Sequence, residues 1–301
     1  MLQEVDKTGG SGIQQERTKY LVIRKLLRRK VAQGSLLIVS VALIFALLPG
    51  WFSPMDPFHQ NISQRLAPPY GFKGNLTGQY LGTDQLGRDI LSRIIYGARI
   101  SLLVTFLAVL VSGLLGVTAG LLAGYHGGKL DLLIMRLIDI QLAFPLILLV
   151  IGIVAVVGPS LTNIIVVMGI SAWPRYARIV RGSVLSVKEM EFIKAARSIG
   201  ARPSRIMICH ILPNVLSPLV VLSTFEIARM ILLEATLSFL GLGVQPPNPT
   251  WGGMVNEGKH YIYMSWAVST IPGLIIALVV FAFNMLGDEI RDAIDPQMSG
   301  D

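Results

Sequence analysis

Long runs of apolar residues, separated by short polar or Gly/Pro-rich segments, constrain this chain more than any other feature. Several runs approach or exceed about 18 residues, the length that an α-helix needs to cross the hydrocarbon core of a bilayer. Of the 301 residues, 52% are hydrophobic and only 15% are charged, whereas a soluble domain carries about 25% charged residues. The sequence therefore predicts an all-α integral membrane protein.

The apolar runs predict six transmembrane helices. The run between residues 132 and 173 is too long for one crossing of a core about 30 Å thick, because a helix rises about 1.5 Å per residue. Gly158-Pro159-Ser160 divides this run into two predicted helices. The predicted spans are about 35–51, 100–125, 132–156, 161–177, 215–240 and 266–286.

The distribution of Lys and Arg orients these spans. Basic residues concentrate before residue 31 and in the segment 178–213, and the intervening loops on the other side carry few. Cytoplasmic loops hold the excess of Lys and Arg, so both termini and the segment 178–213 are predicted to be cytoplasmic. This asymmetry also accounts for the net charge of +8, which is therefore not taken as a sign of nucleic-acid binding.

This topology divides the chain into four parts. Within the first part, interleaved basic and apolar residues fit either an amphipathic helix on the inner leaflet or a charge cluster that only orients the first span. In the second part, Thr83 or Asp84 is expected to cap a helix start. The parts are a basic N-terminal segment (1–33), the first span with a long periplasmic loop (34–97), a core (98–290) that includes 178–213, and a cytoplasmic tail (291–301).

Small residues recur every four positions in the second predicted span: Ser112, Gly116, Gly120 and Gly124. This spacing puts them on one helix face, where another helix can approach closely. The neighbouring helix can belong to this chain or to a partner subunit.

The longest polar and basic interruption in the second half of the chain begins at Ser186. Ser186 and Glu189 have the spacing of a capping box, and Gly200 is placed for a left-handed C-cap. Pro203 suits the first turn of a second helix, and Pro213 marks its junction with the next apolar run. The pattern predicts two short helices with a basic outer surface and one apolar stripe, formed by Phe192, Ala195, Ala196 and Ile199. A segment lying on lipid would have the same pattern.

Ionisable residues fall within several predicted spans, and four of them are candidate functional residues. An ionisable group at bilayer depth costs a few kcal/mol, so it normally faces a bundle interior, a partner charge or water. Glu226 and Arg229 are three positions apart on one helix and can pair. The group is a candidate lining of a translocation path, and the alternatives are a structural ion pair or a position at a helix end near the headgroups. Its members are Asp139, Glu226, Arg229 and Glu234.

No catalytic, cofactor-binding or metal-binding residue is predicted. The phosphate-binding pattern G-x-x-x-x-G-K-[ST] is absent from the sequence, and the four histidines show no metal-ligand spacing. The single cysteine, Cys209, cannot form an internal disulfide.

Five sequence blocks, in order, resemble the permeases of dipeptide/oligopeptide/nickel ABC importers, and among these the C-type subunit. Lys194 stands where the general family motif has a glutamate, and Glu191 is the nearest carboxylate before it. The blocks are GTDQLGRDILSRIIYGARISL, GKLDLLIMRLIDIQLAFP, the segment 191–213, LSFLGLGVQPPNPTWGGM and FNMLGDEIRDAIDP.

The resemblance implies a type I ABC-importer permease fold in a bacterial inner membrane. It implies a second, B-type permease subunit, two cytoplasmic ATPase subunits that bind ATP and Mg²⁺, and a periplasmic or lipid-anchored solute-binding protein. The implied substrates are di- or oligopeptides, with nickel complexes, glutathione or opines in some members. A non-transporting membrane scaffold or signalling subunit is the alternative from another class.

The resemblance also assigns the contact with the ATPase subunits. In the family, the segment that corresponds to 178–213 docks in a cleft of the ATPase and transmits its motion. The positions that carry the motif here are Glu191, Ala195, Ala196, Gly200, Ile211, Leu212 and Pro213.

Overall fold

The computed structural model describes residues 29–72 and 79–294. The basic segment before residue 29, with its two interpretations, lies outside these ranges. Within them the chain is helical and contains no β-strand, only an isolated bridge between Thr83 and Asp89. The α-helices are α1 (Lys30–Leu47), α2 (Pro49–Phe52), α3 (Ile90–His126), α4 (Gly128–Leu142), α5 (Leu146–Val157), α6 (Leu161–Val187), α7 (Glu191–Ser198), α8 (Pro203–Phe239), α9 (Trp251–Gly258) and α10 (Ala267–Ile294).

Four helices in the described ranges are long and apolar enough to cross a membrane: α1, α3, α8 and α10. Helices α4 and α5 qualify only as a pair, with a bend of 87° between them. Helix α6 is long but more polar, because its second half carries Arg175, Arg178 and Arg181. The all-helical prediction is confirmed, with four candidate spans, or five if the bent pair is one span.

Several predicted helix bounds differ from the structure. Helix α3 begins at Ile90, well before the predicted 100, because Asp89 caps it by accepting a hydrogen bond from the Ser92 backbone at 2.8 Å. The prediction that Thr83 or Asp84 provides this cap is wrong. The predicted span 132–156 is interrupted before Pro145, which lacks an N–H and disfavours helix in the preceding residue. Helix α6 extends past 177 to Val187.

The glycine face of α3 packs against α6. A Cβ on Gly116 would lie 2.4 Å from Tyr176 Cβ, and one on Gly120 would lie 2.6 Å from the Ala177 carbonyl oxygen. The predicted close approach is therefore an internal contact of this chain. It joins the two helices along a buried surface that contains Tyr176, Val180 and Val184.

An ion-pair network at one end of the bundle joins the long loop to α3 and α9. Asp84 accepts hydrogen bonds from Arg88 Nε at 2.6 Å and from Arg93 Nη1. Glu257 of α9 accepts from Arg88 Nη2 at 2.7 Å and from Arg93 Nη1 at 2.8 Å. Burial alone would raise the pKa of Glu257, but the hydrogen bond from Arg93 and the charges of Arg93 and Arg88 hold this pKa below its usual value.

The first and last helices of the described chain meet at the opposite end of the bundle. Arg29 Nη1, just before α1, lies 2.9 Å from Glu289 and 2.9 Å from Asp292 near the end of α10. Helix α3 runs from the Glu257 network to this end, where Lys188 Nζ donates to the Gly124 carbonyl at 3.1 Å. The start of α1, the end of α10 and the α6–α7 junction therefore lie on one side.

Candidate functional site

The connection between α6 and α7 differs from its predicted form. Ser186 belongs to α6, and its hydroxyl donates to the Gly182 carbonyl at 3.4 Å. Helix α7 follows Met190 without a side-chain cap. The predicted capping box is wrong because α6 continues to Val187, whose buried side chain joins the α3–α6 core. Glu189 instead lies 3.6 Å from Lys194.

The end of α7 has the left-handed C-cap that the sequence predicts, in the form of a Schellman motif. Gly200 has φ +81°, which costs a glycine little and other residues about 1–2 kcal/mol. Its N–H donates to the Arg197 carbonyl at 2.9 Å, and the Ala201 N–H donates to the Ala196 carbonyl at 3.1 Å. The turn fixes the direction in which the chain leaves α7.

The second helix does not end at Pro213. Helix α8 begins at Pro203, as predicted, and continues through Pro213 into the next apolar run. A π-helical turn, Ile206–Ile211, precedes the proline. Because Pro213 has no N–H and its ring would clash with the carbonyl four residues earlier, the wider turn accommodates it without a break.

Helix α7 presents an exposed apolar face. Ile193 and Ala196 are buried against the bundle, whereas Phe192 is 44% and Ile199 84% exposed. The predicted single stripe is therefore wrong in part, because Ile193 anchors the helix while Phe192 and Ile199 face outward. The exposed side forms a groove of about 890 Å³ with Arg202 and Arg205.

The seven residues of the family motif are divided between the two faces of this segment. Glu191, Ala195 and Gly200 are exposed, and Ala196 and Ile211 are buried. Leu212 is half-buried and Pro213 exposed on α8. The exposed members can contact a partner, and the buried members set the position of α7 and α8.

The predicted Glu226–Arg229 pair is confirmed, with a further member. Glu226 Oε1 accepts from Arg175 Nη1 at 3.1 Å and from Arg229 Nη1 at 3.5 Å. The prediction missed Arg175. The signal in the sequence is the spacing of Arg175, Arg178 and Arg181, three residues apart on α6. Arg175 pairs with Glu226. Arg178 pairs with Asp139 at 2.5 Å, and Arg181 pairs with Asp131 at 2.5 Å.

The other predicted path residues lie apart from this group. Asp139 pairs with Arg178 at a more exposed position on α4. Glu234 is fully buried and accepts from the Ser238 hydroxyl at 2.7 Å, close to the start of α9. The structure thus brings Glu226 and Arg229 together and leaves Asp139 and Glu234 in separate contacts.

A cavity of about 250 Å³ lies at the break between α4 and α5, and Arg175 and Arg229 both line it. Gln141, at the end of α4, forms part of its wall. Gln141 Nε2 donates to the Ile170 and Ser171 carbonyls at 3.1 and 2.9 Å, and Gln141 Oε1 accepts from Trp173 at 2.8 Å. Because Pro174 has no N–H, the Ile170 carbonyl has no hydrogen-bond donor four residues later in the helix. Gln141 supplies the missing donor.

Two family models match this chain. Residues 116–300 match the model described as binding-protein-dependent transport system inner membrane component. The chain belongs to this family. Residues 20–69 match the N-terminal TM domain of oligopeptide transport permease C. The resemblance inferred from the five sequence blocks is confirmed.

Relatives match over most of their length. A di/tripeptide transport system permease protein of Pseudomonas aeruginosa is 43% identical over 89% of this chain and 89% of its own. A dipeptide permease of Haemophilus influenzae is 44% identical over 88% and 90%. A glutathione transport system permease protein of Pectobacterium atrosepticum is 42% identical over 91% and 90%.

The fold also has a solved counterpart. An inward-facing MetNI methionine ABC transporter chain aligns with a TM-score of 0.55 and 23% identity, covering 67% of this chain and 96% of that one. At this identity the likeness concerns the fold alone. Together with the apolar helices and the family match, it identifies a multi-pass bacterial inner-membrane protein with an ABC-importer permease fold.

Proposed function

We propose that this chain is the permease subunit of an ATP-driven importer of di- or oligopeptides and forms half of its translocation path. The observation that carries the proposal is the exposed face of α7. Ile199 is 84% exposed on a helix whose Ile193 is buried against the bundle, and an exposed apolar surface with a polar rim is typical of a docking site. The peptide substrate is supported by the names of the relatives, which are peptide and glutathione permeases.

The partner at α7 would be a cytoplasmic ATPase subunit. Phe192 and Ile199 would seat in its cleft, and Arg202 and Arg205 would meet acidic groups at the rim. Two such subunits, which bind ATP and Mg²⁺, would serve the importer. This chain then needs no ATP-binding residue of its own, and hydrolysis is the work of its partners.

The proposed topology has six spans with cytoplasmic termini. Helices α4 and α5 count as one broken span, and α6 as another. The three arginines of α6 are compatible with a span because each has a carboxylate partner, which reduces the cost of a charge at membrane depth. Arg29, Glu289 and the α6–α7 junction share one end of the bundle, and this end is assigned to the cytoplasm with the docking face. The segments 1–33, 34–97, 98–290 and 291–301 keep the roles assigned to them from the sequence.

A second permease of B type would complete the path, and a periplasmic or lipid-anchored binding protein would deliver the solute. ATP binding would draw the ATPase subunits together and move α7, and the spans would then open the path outward. Glu226 and Arg229 would line that path. Asp139 and Glu234 are assigned weaker roles, since one is paired at the periphery and the other is enclosed.

Glutathione is a second candidate substrate. The 42% identity with a glutathione permease is close to the values for dipeptide permeases. Glutathione is itself a tripeptide, so the two candidates share the same machinery.

Uptake by the reconstituted complex tests the proposal. The chain is co-purified with its second permease and ATPase subunits, placed in proteoliposomes and supplied with the binding protein. Labelled dipeptide and labelled glutathione are compared with and without ATP. ATP-dependent accumulation of either supports import and identifies the substrate. If no ATPase subunit co-purifies, the docking assignment of α7 is wrong.

A further inference from the structure

We infer that the cavity at the α4–α5 break binds a carboxylate group, and that it receives the C-terminal carboxylate of the peptide during its passage. This inference rests on the proposed function as a peptide permease and adds the chemical group that the path recognises. Its elements are the two arginines that line the cavity, the acid they share and the start of α5.

The cavity carries a net positive charge. Arg175 and Arg229 both line it, and their shared partner Glu226 supplies one negative charge against two positive ones. The neighbouring Arg178 is neutralised by Asp139. An anion that enters the cavity therefore meets uncompensated positive charge, which is costly in a membrane protein unless a ligand uses it.

The two guanidinium groups have spare hydrogen-bond donors. Each guanidinium carries five N–H groups, yet both arginines meet Glu226 at the same oxygen, Oε1. The other oxygen, Oε2, is buried and has no hydrogen-bond partner in the described part of the chain. The side chain of Glu226 is 2% exposed, whereas those of Arg175 and Arg229 are 47% and 30% exposed. A closed structural pair would use both carboxylate oxygens and bury both partners. Here the arginines remain available on the cavity side.

The start of α5 adds to the positive potential. Pro145 and Leu146 line the cavity, and the 12-residue helix begins there without a side-chain cap. The first N–H groups of a helix have no partner within it and favour an anion. Two guanidinium groups and a helix N-terminus thus surround one space.

The dimensions suit the end of a peptide. Because a water molecule occupies about 30 Å³ in the liquid, a cavity of about 250 Å³ accommodates a carboxylate and the residue that bears it. Leu142, Phe144 and Leu149 provide apolar lining beside the arginines. An apolar surround strengthens a charge-assisted pair between arginine and carboxylate.

Thiol reactivity in the assembled complex tests the charge of the cavity. The chain has one cysteine, exposed Cys209, so Cys209→Ser gives a clean background for Leu142→Cys. Sulfonate-bearing and ammonium-bearing methanethiosulfonates are compared, without ATP or binding protein. We expect the anionic reagent to be favoured about tenfold over the cationic one, relative to a free thiol. Arg175→Gln and Arg229→Gln should each reduce this preference. Leu114→Cys, exposed in a different apolar groove, is the matched control and should show no preference.

Protection experiments identify the anion. Alanyl-alanine should slow the anionic reaction at Leu142→Cys, and alanyl-alanine amide, which lacks the carboxylate, should not. Equal protection by inorganic phosphate would show a general anion site and overturn the assignment to a peptide. An unchanged reagent preference in both arginine variants would overturn the site itself.

The assay separates this inference from the proposed function. Reagent preference and protection require neither ATP nor transport. ATP-driven peptide uptake with no preference at Leu142→Cys overturns the inference alone. Absence of any ATP-driven uptake refutes the proposed function, and protection by alanyl-alanine still decides whether the cavity binds a peptide carboxylate.

Discussion

Arg93 binds both carboxylate oxygens of Glu257, donating from Nη1 at 2.8 Å and from Nη2 at 3.1 Å. This bidentate pair connects the first turn of α3 to α9. Replacing Glu257 with Gln removes the negative charge between two arginines. Because Glu257 is partly exposed and Asp84 still pairs with both arginines, the cost should be about 1–3 kcal/mol, below that of breaking a fully buried pair. We expect a clear fall in the melting temperature of the purified complex. Glu189→Gln removes an exposed acid and should change stability by less than about 1 kcal/mol. Equal melting temperatures for the two variants would contradict a stabilising role.

The same carboxylate predicts a dependence of stability on pH. The pKa of Glu257 is lowered in the folded protein. The stabilisation that its carboxylate provides is therefore fully present above the pKa of a glutamate in the unfolded chain, about 4.3. This stabilisation is lost as the pH falls through the lower pKa that Glu257 has in the folded protein. Melting temperatures measured between pH 6 and pH 3.5 should therefore decline less steeply in Glu257→Gln than in the natural protein. Parallel curves would show that another group causes the acid sensitivity.

The α3–α6 contact predicts opposite outcomes for two nearby glycines. A Cβ on Gly116 would lie 2.4 Å from Tyr176 Cβ and 2.5 Å from the Trp173 carbonyl oxygen, so Gly116→Ala must separate the helices. Overpacking of this kind costs about 1–3 kcal/mol. The nearest atom to a Cβ on Gly113 is Tyr176 Cε1 at 3.9 Å, so Gly113→Ala should be tolerated. Detergent melting and the yield of assembled complex provide the comparison.

The turn after α7 predicts a selective loss of coupling. Gly200→Ala introduces backbone strain of about 1–2 kcal/mol without a steric clash, because a Cβ on Gly200 would have no neighbouring atom within 4 Å. We expect the exit from α7 to shift and peptide uptake per ATP hydrolysed to fall, while the chain remains in the membrane. Gly182→Ala also meets no atom within 4 Å but lies inside α6, and it should keep normal coupling.

A buried position on α7 gives a stronger version of this test. Ala196 faces the bundle, so Ala196→Glu would place a carboxylate against apolar residues and displace the helix. ATPase subunits should then co-purify poorly. Normal ATP-driven uptake in this variant would refute docking through α7.

The helical fold and the α3–α6 contact could be predicted from the sequence because they depend on local or periodic signals. The four-residue spacing through Gly116 and Gly120 predicts a close helix contact, and Gly200 predicts a left-handed cap. In both cases the glycine lacks a Cβ, and the structural consequence occurs at the glycine itself. The sequence block that resembles the family consists of neighbouring positions, so the segment that contains α7 could also be located from the sequence.

The remaining features depend on neighbours that are distant in sequence. Pro145 signals a break in a helix, but the bend of 87° depends on how α4 and α5 pack. Arg175 and Glu226 are separated by 51 positions, so their pairing follows only from the contact of α6 with α8. The capping box at Ser186 failed because the packing of Val187 extends α6 beyond the local signal.

Gln141 also connects the end of α4 to α6 at the point where Pro174 interrupts the helix. Pro174 interrupts the helical hydrogen bonds just before Arg175, and Gln141 holds the freed Ile170 carbonyl at 3.1 Å. From Pro174 to Val187 the helix forms a rod about 20 Å long, whose far end adjoins α7. If the proposed ATPase contact displaces α7, this part of α6 would transmit the displacement to Pro174. Arg175 would then move with it after Gln141 breaks its hydrogen bonds to α6.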